Sequence, residues 1–288
     1  MNFRDVLRAR LEQDLGFEIY SSNDSPAAVF RIYAKESGVL AGMIFIPTIL
    51  ELVEHEFFLT PFGIKTSPKI TGRVQEGAVF KKGDVLAEIE GNGEYLLKAE
   101  RTICNIISEL SGIATHTRRE VERIKETGAS VFLLDTRKGD SLMRPAHKYA
   151  IRIGGGFAHR SGMFDGILIK DNDIALYGNI RTAIDVRMRE KKFLTRVEIE
   201  VQNLSQLKIV LEDGRVDSIL LDNMPPSILK EAMEEILASG KMYAVEASGV
   251  KSEQFKEISA TGVGYISTSS LVGRALPIDV SMKFVRHM

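Results

Sequence analysis

The second half of the sequence alternates short apolar runs with stretches of helical spacing, and no other feature constrains the fold as strongly. The runs predict strands at Val131 to Asp135, Ile167 to Lys170, Val197 to Val201, Ile219 to Asp222, Tyr243 to Glu246 and Tyr265 to Ser267. Helical patterns occupy 204–212, 225–238 and 252–260, between the later strands. Such alternation is typical of parallel strands that are covered by their connecting helices. The sequence therefore predicts an α/β domain with a parallel sheet.

Polar side chains stand at the ends of the predicted strands. They are Asp135, Lys170, Glu200, Asp222, Glu246 and Ser267. The carboxyl ends of parallel strands meet at one edge of the sheet, where both α/β barrels and doubly wound sheets place their sites. The run 154–156 is three glycines without the spacing of a dinucleotide-binding fingerprint, and it follows a predicted helix where that fingerprint follows a strand. We therefore expect a barrel.

The first third of the chain indicates mixed α and β structure. Apolar residues at helical spacing predict a helix over 4–15, and a strand is predicted from Ala27 to Tyr33. Glycines punctuate short apolar runs over 77–91, which is typical of a compact turn-and-strand unit. A long helical pattern from Leu97 to about Lys125 predicts a helix that links two domains.

Composition limits the classes of function. Lys and Arg number 38 against 39 Asp and Glu, so the chain has no overall positive field that would draw it to nucleic acid or anionic membranes. Any basic site must be local. The single Cys104 excludes an intramolecular disulfide and a thiolate metal site. The charged N-terminus lacks the apolar core of a signal peptide and no apolar stretch approaches ~20 residues, so we expect a cytoplasmic protein.

Basic residues cluster along the chain, most of them around the first two of these predicted strands. The set is Arg101, Arg137, Lys138, Arg144, His159, Arg160 and Lys170. Arginine and lysine near strand ends bind carboxylate or phosphate groups, and arginine adds a two-pronged hydrogen bond. Each member alone is also explained as a solvated surface cation. As a set they predict a pocket for an anionic small molecule between Asp135 and Lys170.

Two carboxylates, Glu200 and Asp222, end neighbouring predicted strands, and Glu198 shares the strand face of Glu200. Such a pair suits a magnesium ion or the hydroxyls of a ribose, and salt bridges to the basic residues opposite are the alternative. Small residues follow the last two strands, in 246–250 and 268–270. Free backbone N–H groups there bind phosphate, and helix capping by serine is the alternative.

These residues resemble a known enzyme family. The segments that carry the resemblance, in this order and spacing, are ERTICNIISELSGIATHTRR, LLDTRK, KYAIRIGGGFAHRSGMFDGILIKDN, VEIEVQNL, ILLDNM and VEASG. They resemble quinolinate phosphoribosyltransferase, also called nicotinate-nucleotide pyrophosphorylase (carboxylating), from about Gly38 to Phe284. The resemblance implies a pentosyltransferase of NAD biosynthesis. It moves phosphoribosyl from phosphoribosyl pyrophosphate to quinolinate with loss of carbon dioxide, giving nicotinate mononucleotide and diphosphate.

The resemblance also implies an architecture and partners. It predicts an N-terminal open α/β sandwich at 1–112, completed by the C-terminal segment 274–288, and an incomplete parallel α/β barrel at 113–273. It implies a homodimer, or a larger assembly, in which Arg101 of one subunit completes the site of its partner. The expected substrates are small molecules, with no nucleic-acid or membrane partner.

Roles at the site follow from the same motifs. The residues implied to bind the carboxylates of quinolinate and the diphosphate of the donor are Arg101, Arg137, Lys138, His159, Arg160 and Lys170. Lys138, Glu200 and Asp222 are implied to be catalytic, and the two carboxylates are also implied to face a magnesium cofactor. The residues implied to bind the 5′-phosphate are Ser248, Gly249 and Ser270.

The sequence departs from the family pattern at a few positions. Asp140 lies in a Gly-Asp-Ser run where the family has Thr-Thr-Pro, Asp173 replaces the histidine of a Lys-Asp-Asn-His run, and Ser269 replaces a glycine. We expect the two acids to weaken dicarboxylate binding or to recruit another substrate group. One alternative is therefore a phosphoribosyltransferase with another nitrogen-heterocycle acceptor. The other is a catalytically silent ligand-binding protein on the same fold, against which the retained Glu200 and Asp222 argue.

Overall fold

The structure is a computed structural model that describes residues 2–16, 25–57, 68–72 and 74–288. The described residues form two compact units. The first combines those of Met1–Arg118 with Asp140–Gly155 and Arg274–Met288, and the second combines Arg119–Gly139 with Gly156–Gly273.

Strands and helices both occur in each unit of the described residues. The strands are β1 Ala27–Ala34, β2 Gly38–Val39, β3 Lys69–Thr71, β4 Val79–Phe80, β5 Val85–Asn92, β6 Phe132–Leu134, β7 Ile167–Ile169, β8 Val197–Val201, β9 Ser218–Asp222, β10 Ala244–Ser248, β11 Tyr265–Ser267 and β12 Val280–His287. The helices are α1 Phe3–Leu15, α2 Ile46–Leu52, α3 Gly93–Lys125, α4 Arg144–Ile153, α5 Asp171–Leu176, α6 Ile180–Glu190, α7 Leu204–Asp213, α8 Pro226–Ala238, α9 Phe255–Ser259 and α10 Ser270–Gly273. Among the described residues, no helix combines the length and apolar character needed to cross a membrane.

The first unit is built on an antiparallel sheet in the order β12-β1-β5-β3. The last strand of the chain returns to pair with the first, and places Met282 opposite Ile32, both of them buried. The helix predicted over 4–15 is confirmed as α1. Its N-terminus is closed by a capping box from Asn2, and Leu7 and Leu11 are buried at the expected spacing.

The segment Asp140–Gly155 belongs to the first unit, whereas the resemblance implies a barrel domain that runs without interruption over 113–273. Its side chains explain the difference. The Tyr149 ring packs edge-on against Phe45 at 5.7 Å, and His147 Nε2 lies 2.6 Å from Glu109 Oε1 on α3. These are partners distant in sequence, which no local pattern identifies.

The second unit carries a parallel sheet in the order β6-β11-β10-β9-β8-β7. The sheet has two edges, β6 and β7, so it is the incomplete barrel that was expected. The six predicted strands are confirmed with ends that agree within two residues. One boundary matters for the site, because β10 continues through Ser248 and Glu246 therefore lies inside the strand. The predicted helix over 252–260 is divided into a 3-10 turn, Ser252–Gln254, and α9.

Alternation along the strands separates apolar from polar side chains. In β8, Val197, Ile199 and Val201 are fully buried on one face, while Glu198 and Glu200 share the other. The same alternation in β9 and β10 places polar residues of neighbouring strands on one face of the sheet.

Candidate active site

A cavity of about 460 Å³ lies at the carboxyl ends of β7 to β10 in the second unit. This volume is within the roughly 300–1,000 Å³ of small-molecule sites. The lining residues are Thr136, Arg137, Lys138, His159, Arg160, Leu168, Lys170, Asp171, Glu200, Leu220, Asp222, Asn223, Glu246, Ser248, Gly249 and Ser267. Charged groups of both signs therefore share one space with a few apolar side chains.

Most residues that the sequence assigned to a site line this cavity. They are Arg137, Lys138, His159, Arg160, Lys170, Glu200, Asp222, Ser248 and Gly249. Three assigned residues lie elsewhere. Arg101 is exposed on α3 and Arg144 begins α4, both in the first unit. Ser270 begins α10, and its Oγ accepts a hydrogen bond of 3.0 Å from Thr268 Oγ1.

Sequence reasoning missed Asn223 at this cavity. It adopts a left-handed backbone with φ 52° directly after β9, and its Nδ2 donates to Asp222 Oδ2 at 2.8 Å. Gly249 has φ 75°, and a Cβ added there would lie 2.0 Å from Asn223 Oδ1. Asparagine tolerates a left-handed backbone better than most residues, and glycine has no side chain that would clash. In the sequence, an Asn after one predicted strand and a Gly after the next are therefore the signal that could have indicated this part of the cavity.

The cavity contains several cationic groups. They are Arg137, Lys138, Arg160 and Lys170. Lys170 Nζ donates to Glu200 Oε2 at 2.6 Å, and Arg160 Nη1 donates to the Gly166 carbonyl at 3.0 Å. Burial, followed by the neighbouring charge of Arg137, lowers the pKa of Arg160. A bound anion would stabilise this buried guanidinium and offset its repulsion from Arg137. The cavity therefore favours anionic ligands.

The histidine of the cavity has carboxylate partners. His159 Nε2 lies 3.0 Å from Glu198 Oε2 and 3.3 Å from Glu246 Oε2. Burial alone would lower the pKa of His159, but these two contacts outweigh burial and raise the pKa above its ordinary value.

The two unexpected acids have local partners. Asp140 Oδ1 accepts from the backbone N–H of Leu142 at 2.8 Å. Asp173 Oδ2 accepts from the backbone N–H of Lys170 at 2.9 Å, and its Oδ1 accepts from Arg187 Nε at 3.0 Å and from Arg187 Nη2. Both acids thus stabilise the local backbone. The sequence could not reveal the partner of Asp173, since Arg187 lies on another helix.

We expect Asp173→Ala to lower the free energy of unfolding by about 1–2 kcal/mol, because it removes a helix cap and a partly buried ion pair. Asp173→Asn should cost less, since the amide oxygen still accepts from Lys170. Partial burial opposes ionisation of Asp173, but hydrogen bonds from Arg187 and the Lys170 backbone lower its pKa below 3.8. The stabilisation is therefore complete above pH ~4 and declines as the pH falls further.

Thermal unfolding of wild type and Asp173→Asn between pH 3 and 8 measures this dependence. Asp185→Asn is the matched control, because Asp185 and Arg215 form an ion pair of 2.7 Å in which both side chains are almost half exposed. A midpoint difference for Asp173→Asn that persists unchanged at pH 3 would contradict the assignment.

Most of the chain matches two domains of one protein family. The family described as "Quinolinate phosphoribosyl transferase, C-terminal domain" matches residues 113–283, and "Quinolinate phosphoribosyl transferase, N-terminal domain" matches residues 14–111. The chain belongs to the quinolinate phosphoribosyltransferase family.

Members of the family resemble it over almost its whole length. A "Probable nicotinate-nucleotide pyrophosphorylase (carboxylating)" of Methanocaldococcus jannaschii is 34% identical over 98% of this chain and 97% of its own. A tobacco (Nicotiana tabacum) protein named "Quinolinate phosphoribosyltransferase (decarboxylating) 2a, mitochondrial" is 32% identical over 87% of this chain and 71% of its own. The crystal structure of NadC from Streptococcus pyogenes superposes with a TM-score of 0.84 at 31% identity, covering 99% of this chain and 97% of that one.

Proposed function

We propose that this chain transfers phosphoribosyl from phosphoribosyl pyrophosphate to quinolinate and decarboxylates the product to nicotinate mononucleotide. It is a pentosyltransferase of NAD biosynthesis. One observation carries the proposal: cations and a pair of carboxylates line the same cavity at the carboxyl ends of the parallel strands. Phosphoribosyl transfer needs both, because the substrates are anionic and the transferred ribose carbon becomes positive.

The cationic groups match the charges of the substrates. Quinolinate carries two carboxylates, and the donor carries a diphosphate and a 5′-phosphate. We assign these carboxylates and the diphosphate to cations named from the family motifs, Arg101, Arg137, Lys138, Arg160 and Lys170. His159, named from the same motifs, lines the cavity beside them, and its two ring nitrogens contact Arg160 and the glutamates. Planar guanidinium groups bind carboxylates through two parallel hydrogen bonds, so Arg137 and Arg160 are the best-suited ligands for quinolinate.

The 5′-phosphate is assigned to Ser248, Gly249 and Ser270. Ser248 ends β10, and Gly249 follows it with φ 75°. A glycine lets a phosphate approach the backbone N–H groups closely, and the serine hydroxyl adds a donor.

Glu200 and Asp222 are the residues that would hold a magnesium ion. They are carboxylates on neighbouring strands in one cavity, and oxygen is the donor that Mg²⁺ prefers. When bound, the ion would neutralise charge on the diphosphate. Glu200 is 7% exposed and is paired with Lys170, so its orientation is fixed before any ligand binds.

The reaction follows from this arrangement of charges. The bond between ribose C1 and the diphosphate breaks, and its electrons leave with the diphosphate, whose charge Lys138 helps to balance. Glu200 and Asp222 stabilise the positive character left on C1. The pyridine nitrogen of quinolinate then bonds to C1 and becomes cationic. The carboxylate next to it leaves as carbon dioxide, and the electron pair of the broken bond stays on the ring carbon, where the adjacent cationic nitrogen stabilises it. A proton from solvent then bonds to that carbon.

We also propose a homodimer in the cytoplasm, with Arg101 contributed to the partner's cavity. Arg101 is exposed on α3, as a residue that acts in another subunit must be. An analytical ultracentrifugation experiment should give twice the 32.0 kDa mass of the chain. A monomer that is fully active would contradict the shared site.

An activity assay tests the proposal directly. The purified protein is given phosphoribosyl pyrophosphate and magnesium with quinolinate, nicotinate or no acceptor, while diphosphate and carbon dioxide are measured. We expect equal amounts of both products, with quinolinate alone. Diphosphate without carbon dioxide, released with nicotinate, would show another acceptor. Donor binding without turnover would show the silent ligand-binding protein.

A further inference from the structure

Two glutamates converge on one imidazole nitrogen next to the active-site cavity. The ring of His159 lies between Glu198 on β8 and Glu246 on β10, at 3.0 and 3.3 Å from Nε2. All three side chains are largely buried, at 16%, 14% and 4% exposure. The ring therefore links two strands that are separated by β9 in the sheet.

The opposite side of the ring holds the backbone of Arg160. Its N–H donates to His159 Nδ1 at 2.7 Å. The backbone N–H of His159 itself donates to the buried Asp135 Oδ1, also at 2.7 Å. The peptide that leads into Arg160 is thus fixed on both sides, and the position of the Arg160 side chain at the cavity depends on the orientation of the imidazole.

The hydrogen bonds identify the protonation of the ring. Nδ1 needs a free lone pair to accept from Arg160, so the ring proton lies on Nε2 and is directed at the glutamates. The same glutamates raise the pKa of His159, but a second ring proton would have to lie on Nδ1, where the Arg160 N–H already donates at 2.7 Å. This hydrogen bond therefore opposes a second ring proton and favours the neutral ring.

We infer that Glu198 and Glu246 are positioning residues of the transfer reaction, which hold the His159 imidazole so that it fixes Arg160 at the quinolinate side of the cavity. The inference rests on the proposed function. Glu198 gives the cleaner test. It lines a neighbouring cavity of about 350 Å³ that shares His159 and Arg160 with the first, and it is absent from the lining of the first.

Steady-state kinetics of Glu198→Leu and Glu198→Gln separate positioning from bulk structure. Leucine removes the nearer of the two acceptors of the Nε2 proton, so we expect the KM for quinolinate to rise about tenfold, the factor that corresponds to one hydrogen bond. The KM for phosphoribosyl pyrophosphate should stay within about twofold, and kcat within about threefold, because Arg160 is assigned to quinolinate. Glutamine keeps an acceptor and should restore most of the quinolinate KM. Glu212→Gln on α7 is an exposed control.

Nitrogen-15 spectra of the histidines provide a readout that needs no activity. His159→Asn assigns the His159 signals, and wild type should show Nδ1 unprotonated and Nε2 protonated at neutral pH. In Glu198→Leu we expect the two tautomers to mix. Protonated Nδ1 in the wild type would overturn the inference, as would equal KM increases for both substrates in Glu198→Leu and Glu198→Gln. If the wild type makes no product, the proposed function has failed, and the spectra still test the link.

Discussion

Replacing Arg160 with alanine is expected to raise the KM for quinolinate by about 100-fold or more. Two charge-assisted hydrogen bonds from a guanidinium to a carboxylate contribute about 3 kcal/mol or more together, and 1.4 kcal/mol corresponds to a factor of ten. The free energy of unfolding should stay within about 1 kcal/mol of wild type, because Arg160 is half-buried at a cavity and the one side-chain hydrogen bond described for it goes to the Gly166 carbonyl. Steady-state kinetics and urea unfolding measure the two quantities.

Two further variants make the result specific to the guanidinium. Arg160→Lys keeps the positive charge but loses the planar pair of donors, so its KM should lie between those of wild type and Arg160→Ala. Arg181→Ala removes an arginine from an exposed ion pair of 2.6 Å with Glu212, and should change neither quantity. A destabilised Arg160→Ala with an unchanged KM would mean that the residue supports the fold and does not bind the acceptor.

Strand positions in the second unit were predictable because the signal is local. Alternation in β8 puts Val197 and Ile199 on one face and Glu198 and Glu200 on the other, and this pattern is visible in the sequence alone. The sheet needs buried apolar residues on the side that the helices cover. A run with this alternation can therefore be recognised as a strand without knowing which strands lie beside it.

The partners of the charged side chains were not predictable, because these contacts join residues that are far apart in the sequence. Asp173 looked like a change in the substrate pocket until its carboxylate was seen to bind Arg187 and the Lys170 backbone. Glu246 looked like the end of a strand, yet it lies inside β10 and contacts His159. In both cases the sequence gives the charge of a side chain, whereas its direction depends on a residue on another element.

The partners of Asp140 and Asp173 help to identify the acceptor substrate. An acceptor other than quinolinate was considered because Asp140 and Asp173 add negative charge near an anion site. Asp140 accepts from the Leu142 backbone, and Asp173 is held by Arg187. A carboxylate whose charge is balanced by an arginine opposes a dicarboxylate less than an unpaired one would, so the aspartate at position 173 is compatible with quinolinate.

The second large effect is expected at Glu200, where glutamine should lower kcat by about 100- to 1,000-fold, the usual effect of losing one preorganised electrostatic group. The substitution preserves shape and an acceptor for Lys170 Nζ, which lies 2.6 Å from Glu200 Oε2. It removes the negative charge that opposes the positive character of ribose C1. The KM for quinolinate should change little, because that substrate is assigned to the cations. Rapid-quench single-turnover rates would show whether the chemical step is slowed.

Two measurements separate the possible causes of this loss. If Glu200 acts mainly by holding magnesium, raising the magnesium concentration should restore much of the rate, whereas loss of charge near C1 is not restored. If the loss comes instead from releasing Lys170, then Lys170→Met should be as slow as Glu200→Gln, and the double variant no slower than either. Independent roles predict that the two effects multiply. An unchanged kcat in Glu200→Gln would exclude the carboxylate from the transfer step and leave it as the buried partner of Lys170.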